Sequence, residues 1–422
     1  MTKFGKIFPT SDERVDENTR TRRPPSPADR RSALGSEVAT KGLISFIFLL
    51  GIVILLTIVT AFFFRDRIFR VFYEPTITRV QEGGSKESIT EIIADNLQIP
   101  WEIAFLPDGD LLVTERSGTL KRIGKEGRVY TIEGVKHVGE GGLLGMALHP
   151  RFRDNRLVYL YLTTATGNGL KNRVERYRLE DNRLSEKKVI IDNIPGAAYH
   201  DGGRIAFGGD GYLYITTGDA SNAEFAQNID SLAGKILRLK DDGSVPDDNP
   251  FTSTGSAQAA AVYSYGHRNS QGLVWDDRGR LWATEHGRSG ILSGFDELNL
   301  IEKGKNYGWP IIEGDEKKEG METPLAQSGP DETWAPSSIA FWNGSFFFGG
   351  LRGESLYEAK IIGEKQISLK VHFRKEFGRI RAVVLGPDGF LYITTSNTDG
   401  RGNPKVNDDK IIRLNPLIFR EP

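Results

Sequence analysis

The chain contains no cysteine. That removes disulfide cross-links, thiolate metal sites and a cysteine nucleophile at one stroke. Net charge is almost absent too: 55 Lys and Arg face 56 Asp and Glu, leaving a formal −1. Nothing in that balance points to nucleic acid, and no such partner is expected. Phosphate and nucleotide signatures are missing. There is no P-loop lysine motif, no G-x-G-x-x-G between a strand and a helix, and no H-E-x-x-H. Nicotinamide, nucleotide and zincin chemistries therefore lack support. Glycine, by contrast, is plentiful at 48 of 422 residues, beside a 10% share of aromatics. Short apolar runs punctuated by glycine suit a turn-rich all-β chain.

One hydrophobic run stands apart. Gly42 to Phe64 reads GLISFIFLLGIVILLTIVTAFFF, without a charge, and is long enough to cross a bilayer as a helix. A cleaved signal peptide fits less well, because the preceding segment exceeds a usual n-region and no A-x-A site follows. The sequence thus predicts a polar, proline-containing disordered tail (1–41), a retained transmembrane anchor (42–64), a stalk (65–88) and a folded domain (89–422). Lys3, Lys6, Arg14, Arg20, Arg22, Arg23, Arg30, Arg31 and Lys41 precede the run, against Arg65, Arg67 and Arg70 close behind it. This bias predicts a single-pass membrane protein with its N-terminus cytoplasmic and the folded domain extracytoplasmic.

From about Ile92 one pattern returns six times. An apolar strand runs into a turn, often Asp-Gly, and an alternating strand with aromatics follows. The copies are Ile103 to Thr114, Met146 to Thr163, Ile205 to Thr217, Leu273 to Thr284, Ile339 to Phe348 and Val383 to Thr395. Each precedes a further strand-like segment, such as Lys235 to Leu239 or Lys410 to Leu414. A unit of this size cannot bury its apolar face alone, so copies must pack on one another. Radial packing predicts an all-β, six-bladed β-propeller of four-stranded antiparallel blades. Closing such a ring needs one strand from the chain's start, and Ile89 to Ile93 could pair beside Lys410 to Leu414.

Four polar stretches interrupt the repeat: Gly139 to Gly145, Ala198 to Arg204, Tyr265 to Gly272 with Glu285 to Arg288, and Gly378 to Arg381. Each flanks a repeated strand pair, so each falls in connecting loops, which gather at the faces of a propeller. His200, between Tyr199 and Asp201, reads equally as a turn residue or as a general base, its ordinary pKa being about 6.5. Arg268, Asn269 and Gln271 bunch three planar hydrogen-bonding groups. Arg379 and Arg381, two apart, face one way on an extended segment, a pattern suited to a carboxylated ligand. Together these describe an anion pocket with one candidate base.

At these stretches the chain resembles the quinoprotein glucose/sorbosone dehydrogenase family, the soluble aldose sugar dehydrogenases that use pyrroloquinoline quinone (PQQ). The resemblance runs from about Asn96 to Leu414. It is carried by Pro100 to Gly109, Gly141 to Pro150, Gly234 to Leu239, Gly243 to Pro250, Gly266 to Leu273, Asp296 to Asn299, Asn306 to Pro310, Ala335 to Ser338 and Arg379 to Arg381. It implies a six-bladed propeller, PQQ and Ca2+ as cofactors, and a small sugar substrate oxidised at C1. His200 would be the catalytic base, and Arg268 would steady charge on the quinone oxygen. Asn269, Gln271, Thr333, Arg379 and Arg381 match positions that hold PQQ. Gly287 and Arg288 match backbone-carbonyl ligands of calcium, while Asp296, Glu297 and Tyr307 match a second calcium region. Four positions depart from the family pattern. Glu140 stands at a cofactor contact where Gln is usual, Tyr199 where the glucose enzymes have Asp, Arg288 where Pro is usual, and Arg352 near a cofactor-pairing Lys.

The leading reading is a membrane-anchored, PQQ-dependent aldose dehydrogenase. Its rival is a cofactor-free extracellular propeller used for binding or adhesion, which the extra carboxylate of Glu140 would favour. A calcium-dependent hydrolase ranks last, since no set of carboxylate and amide ligands stands out. No residue pattern names the sugar, the electron acceptor or the oligomeric state, a homo-oligomer included.

Overall fold

Six antiparallel sheets of four strands follow one another along the chain. They are seen in a computed structural model that describes residues 89–419, except 126, 168, 181–182, 290–292 and 364–365. The predicted tail, anchor and stalk lie outside the described residues. Among the described residues no helix is long and apolar enough to cross a membrane.

The first strand met is β1 (Thr90–Ala94). Blade I then holds β2 (Pro100–Phe105), β3 (Leu111–Glu115), β4 (Thr119–Ile123) and β5 (Arg128–Thr131). Blade II holds β6 (Leu143–Leu148), β7 (Leu157–Thr166), β8 (Gly169–Leu179) and β9 (Leu184–Pro195). Blade III holds β10 (Ile205–Phe207), β11 (Leu213–Thr216), β12 (Lys235–Leu239) and β13 (Val262–Tyr265). Blade IV holds β14 (Ser270–Trp275), β15 (Leu281–Glu285), β16 (Glu297–Ile301) and β17 (Ala326–Gln327). Blade V holds β18 (Pro336–Trp342), β19 (Ser345–Gly350), β20 (Ser355–Gly363) and β21 (Gln366–His372). Blade VI holds β22 (Ile380–Leu385), β23 (Leu391–Thr395), β24 (Ile411–Leu414) and, as its fourth strand, β1.

The predicted repeat pairs are the first and second strands of each blade. The first strands touch in sequence, β2 to β6 to β10 to β14 to β18 to β22, and β22 returns to β2. They form a closed inner ring, and neighbouring blades are tied by bonds such as Gly145 N–H to Gly203 O at 3.0 Å and, from the second strand of blade IV, Thr284 Oγ1 to Ser337 O at 2.6 Å. Closure of blade VI is as expected: Thr90, Glu91 and Ile92 pair with Leu414, Arg413 and Ile412.

Turns joining first to second strands share one design in blades I, III, IV and VI. In blade I, Leu106 N–H donates to Asp110 O at 2.8 Å and Gly109 N–H to Leu106 O at 3.0 Å. Gly109 sits at φ +94, a left-handed conformation that costs glycine nothing. The core lies between blades. Leu112, Leu120, Val158, Leu160 and Leu162 are wholly buried in one such cluster.

Antiparallel order fixes where the remaining loops emerge. Connections from fourth strand to next first strand, and from second to third, leave at the same end of every blade. The regular first-to-second turns occupy the opposite face. All four polar interruptions of the repeat therefore converge on one face of the ring.

Candidate active site

A cavity of about 540 Å³ opens on that face, within the usual range for small-ligand sites. A larger groove of about 930 Å³ runs along the outer strands of blade V beside Phe419. Size does not select between them, but chemistry does. The axial cavity gathers His200, His286, Arg379, Arg381 and Gln271, whereas the groove is floored by strand-surface residues such as Lys360 and Ser368.

His200 lies between β9 and β10 and takes φ +63, a conformation few non-glycine residues adopt. Its backbone is held at both ends. The N–H donates to Glu140 Oε2 at 3.1 Å, and the carbonyl accepts Ala220 N–H at 3.1 Å. A Cβ on Gly218 would fall 1.9 Å from that carbonyl, so only glycine permits this approach. The ring nitrogens have distinct partners. Nδ1 meets Asp219 Oδ1 at 2.8 Å, and Nε2 meets Arg268 NH2 at 3.0 Å. A guanidinium can only donate and a carboxylate only accept, so Nδ1 carries the proton and Nε2 keeps its lone pair. Asp219 is itself fixed, accepting Ser221 N–H at 2.8 Å and Trp309 Nε1–H at 2.9 Å. Arg268 also donates to Ser289 Oγ at 2.7 Å and stacks 5.3 Å from the Trp309 ring.

Of the residues expected to hold a cofactor, Glu140, Gln271, Thr333, Arg352, Arg379 and Arg381 line the cavity. Arg268 meets it through His200 and Ser289. Asn269 is fully buried and accepts Gly202 N–H at 3.0 Å. The arginines differ in their commitments. Arg379 gives Nε and NH2 to Asp399 at 3.0 and 2.8 Å and NH1 to Leu351 O at 2.9 Å. Among the described residues Arg381 bonds only Gln271 Oε1, through NH1, and its Nε has no partner. Burial, then neighbouring Arg116, push the Arg381 guanidinium down to about 9. Arg352 is exposed and donates to Ser293 Oγ at 2.8 Å.

The expected metal ligands separate into two places. Gly287, Arg288 and Asp296 border the main cavity. Asp296 accepts N–H groups from Gly287 at 2.9 Å, Trp334 at 2.7 Å and Ala335 at 2.9 Å. Burial nonetheless raises its pKa. Glu297 and Tyr307 line a small second cavity with Glu285 and Glu313, and Gly287 and Arg288 border this one too. Alternation along β16 turns Glu297 away from Asp296. Burial, then Glu285, hold Glu297 well above the usual carboxylate range. The Tyr307 hydroxyl donates to Leu300 O at 2.5 Å. Among the described residues no three His, Cys, Asp or Glu side chains converge as a metal cluster, so a cation here would lean on backbone carbonyls.

Asp219, His286, Arg401 and Trp309 belong to the site and were given no role from sequence, though His286 stood in a polar interruption and Trp309 in a stretch carrying the resemblance. His286 is half-buried, and desolvation pushes its imidazole down to about 3 and leaves it neutral at ordinary pH. Arg401 donates to Glu140 Oε1 at 2.7 Å. Burial alone would raise Glu140. His286, which carries charge only in acid, then Arg401 and the His200 N–H outweigh it and hold that carboxyl near about 2. The carboxylate that looked ill-placed beside an anion is therefore paired.

The sequence model of the glucose/sorbosone dehydrogenases matches residues 97–413. The chain belongs to the glucose/sorbosone dehydrogenase family. An aldose sugar dehydrogenase of Escherichia coli strain K12 is 34% identical over 343 residues, spanning 74% of this chain and 90% of its own length. The quinoprotein glucose dehydrogenase B of Acinetobacter calcoaceticus, another relative, is 32% identical over 273 residues, 57% of this chain and 56% of its own. Among solved structures, the PQQ-bound aldose sugar dehydrogenase of Streptomyces coelicolor superposes with a TM-score of 0.70 at 41% identity. It covers 77% of this chain and 97% of its own. Family membership fits the closed six-bladed ring and gives the axial cavity its meaning.

Proposed function

We propose that this protein is a PQQ- and calcium-dependent aldose dehydrogenase that oxidises the C1 hydroxyl of a sugar to the lactone. The observation that carries the reading is His200, its Nδ1–H on Asp219 and its Nε2 lone pair at the wall of an arginine-rich cavity. The residues suit a flat, carboxylated cofactor. Asn269 Nδ2, Arg268 Nε, Arg381 Nε and His286 Nε2 are buried nitrogens with no protein partner, and such groups ordinarily find one. Arg381, Arg352, Gln271, Asn269 and Thr333 would hold PQQ, while the Gly287 and Arg288 carbonyls would hold calcium. When bound, PQQ supplies the two-electron acceptor and calcium the Lewis acid that polarises it. His200 Nε2, once released by Arg268 NH2, would take the proton of the C1 hydroxyl. Asp219 keeps the imidazole in the required tautomer and steadies the imidazolium. Arg268 places positive charge where negative charge develops.

The charge-free run 42–64 supports the further proposal of a single-pass anchor, with the propeller on the extracytoplasmic side. The rival reading, a cofactor-free binding propeller, rested on Glu140, and its pairing with Arg401 removes that support. The test uses the full chain in detergent, titrated with PQQ and calcium, with dye reduction followed across a panel of aldoses. Saturable, calcium-dependent turnover that disappears in His200→Ala is expected. Failure to bind PQQ at excess calcium overturns the reading.

A further inference from the structure

Two loops from opposite sides of the sequence meet over His200. Glu140, between β5 and β6, and Arg401, between β23 and β24, are 261 positions apart and bonded at 2.7 Å. Arg401 lies 5.4 Å over the ring of Tyr199, which is 49% exposed at the cavity mouth. The Glu140 loop is locked onto the His200 loop in both directions. Glu140 N–H donates to Ala198 O at 2.8 Å, and His200 N–H donates back to Glu140 Oε2 at 3.1 Å. A Cβ on Gly139 would fall 1.9 Å from Ala198 O, so the approach depends on glycine there. Arg116, buried, clamps the Gly139 carbonyl from behind.

We propose that Glu140 is a positioning residue for His200 and that Arg401 neutralises it, the pair forming a strap across the mouth of the cavity. This assignment rests on the dehydrogenase reading for its purpose, but not for its geometry. A residue held at positive φ needs its surroundings to impose that conformation. The His200 N–H has one acceptor, the Glu140 carboxylate, and losing it frees the loop that aims Nδ1 at Asp219. Arg401 has a different task. Alone beside the cavity, the Glu140 charge would repel a tricarboxylate such as PQQ, because like charges brought together cost binding. Paired, it acts as an acceptor at little electrostatic cost to an anion.

The test begins with the protein free of cofactor. The Nδ1–H of His200, bonded to Asp219, gives a downfield proton resonance, assigned by its loss in His200→Gln. The Nδ1–H of His267, bonded to Glu285 at 2.8 Å and buried between blades III and IV, serves as an internal control of fold. In Glu140→Gln, which keeps an acceptor for the His200 N–H, both resonances persist. In Glu140→Ala and Glu140→Asn, too short to reach, the His200 resonance broadens by exchange and that of His267 stays. Persistence of the His200 signal in both short variants overturns the proposal. Loss of both signals does so too, since Glu140 would then support the fold at large. PQQ binding, read by absorbance, tests Arg401. Arg401→Gln weakens it about tenfold, and Glu140→Gln with Arg401→Gln restores it to within about threefold. An unchanged Kd in Arg401→Gln, or a double variant as weak as the single, refutes the neutralising role. Failure of the wild-type chain to bind PQQ would strike the dehydrogenase reading and leave the resonance test standing.

Discussion

Two histidines in this ring have nearly the same partners and different surroundings. His267 and His200 each place Nδ1 2.8 Å from a carboxylate, Glu285 and Asp219 respectively. His267 spends Nε2 on Ser264 Oγ at 2.9 Å, is fully buried and stacks 4.7 Å from Tyr307. His200 spends Nε2 on a guanidinium at the cavity wall, and its side chain is 16% exposed. Glu285 is saturated, also accepting Arg268 N–H and Ser270 Oγ–H. Asp219 is bonded as fully, also accepting Ser221 N–H and Trp309 Nε1–H, while Asp201, next to His200, has one oxygen with no partner among the described residues. A histidine–carboxylate pair is therefore not itself a mark of catalysis. What differs is whether the far nitrogen ends in the core or at a cavity.

Exchanging the losses tests this most sharply. His200→Ala should lower kcat by about 10³-fold or more, with a melting temperature close to wild type. His267→Ala should do the reverse. A cavity and a weakened Glu285 network cost about 3 kcal/mol of stability, while kcat of the folded fraction stays within a few-fold. Parallel kinetics and thermal melts read both, and similar behaviour in the two variants would dissolve the distinction. Asp219→Asn comes next. It leaves the shape intact but favours the wrong tautomer, and kcat should fall by about 10- to 100-fold, with KM for the sugar changed little.

Asp201 sharpens the contrast through pH. Burial pushes its carboxyl up to about 6, against bonds from Asn172 and the Ala197 N–H that pull it down. A raised carboxyl binds its proton better in the folded chain than in the unfolded one. Its contribution is therefore favourable below the unfolded value and is lost as pH rises through the folded one. Asp201→Asn should gain on wild type by about 2 kcal/mol between pH 4 and pH 7, read as the pH slope of urea unfolding. A flat difference would show that the carboxyl is not strained by burial.

The scaffold was legible because its inner strands alternate and end in repeated turns, from Leu106-Pro107-Asp108-Gly109 in blade I to Leu385-Gly386-Pro387-Asp388-Gly389 in blade VI. The outer strands were not. β5 exposes three of its four residues and β17 has two, so neither carries a period. The closing strand β1 was legible from its position alone. In the site, His200, Gln271, Arg379 and Arg381 announced themselves as polar breaks in the repeat. Asp219 did not, since Gly218-Asp219 reads as an ordinary strand end. Arg401 could not be linked to Glu140 without the ring that brings blades I, II and VI together. Asp296 and Glu297 are neighbours in sequence, yet strand alternation sends them to different cavities.

The smallest effect is the most discriminating for the structural histidine. Ser264→Ala removes the donor to His267 Nε2 and touches nothing at the cavity. The bond is buried, so its loss leaves an unpaired ring nitrogen, and about 1 kcal/mol of stability should go with it. No change in kcat or KM is expected, because Ser264 belongs to β13 and acts only on a histidine that faces the core. If Ser264→Ala slowed turnover at constant stability, the His267 network would reach the cavity through Glu285 and Arg268 N–H. The two histidines would then be one coupled system, because Arg268 is bonded to both networks: its N–H to Glu285 and its NH2 to His200.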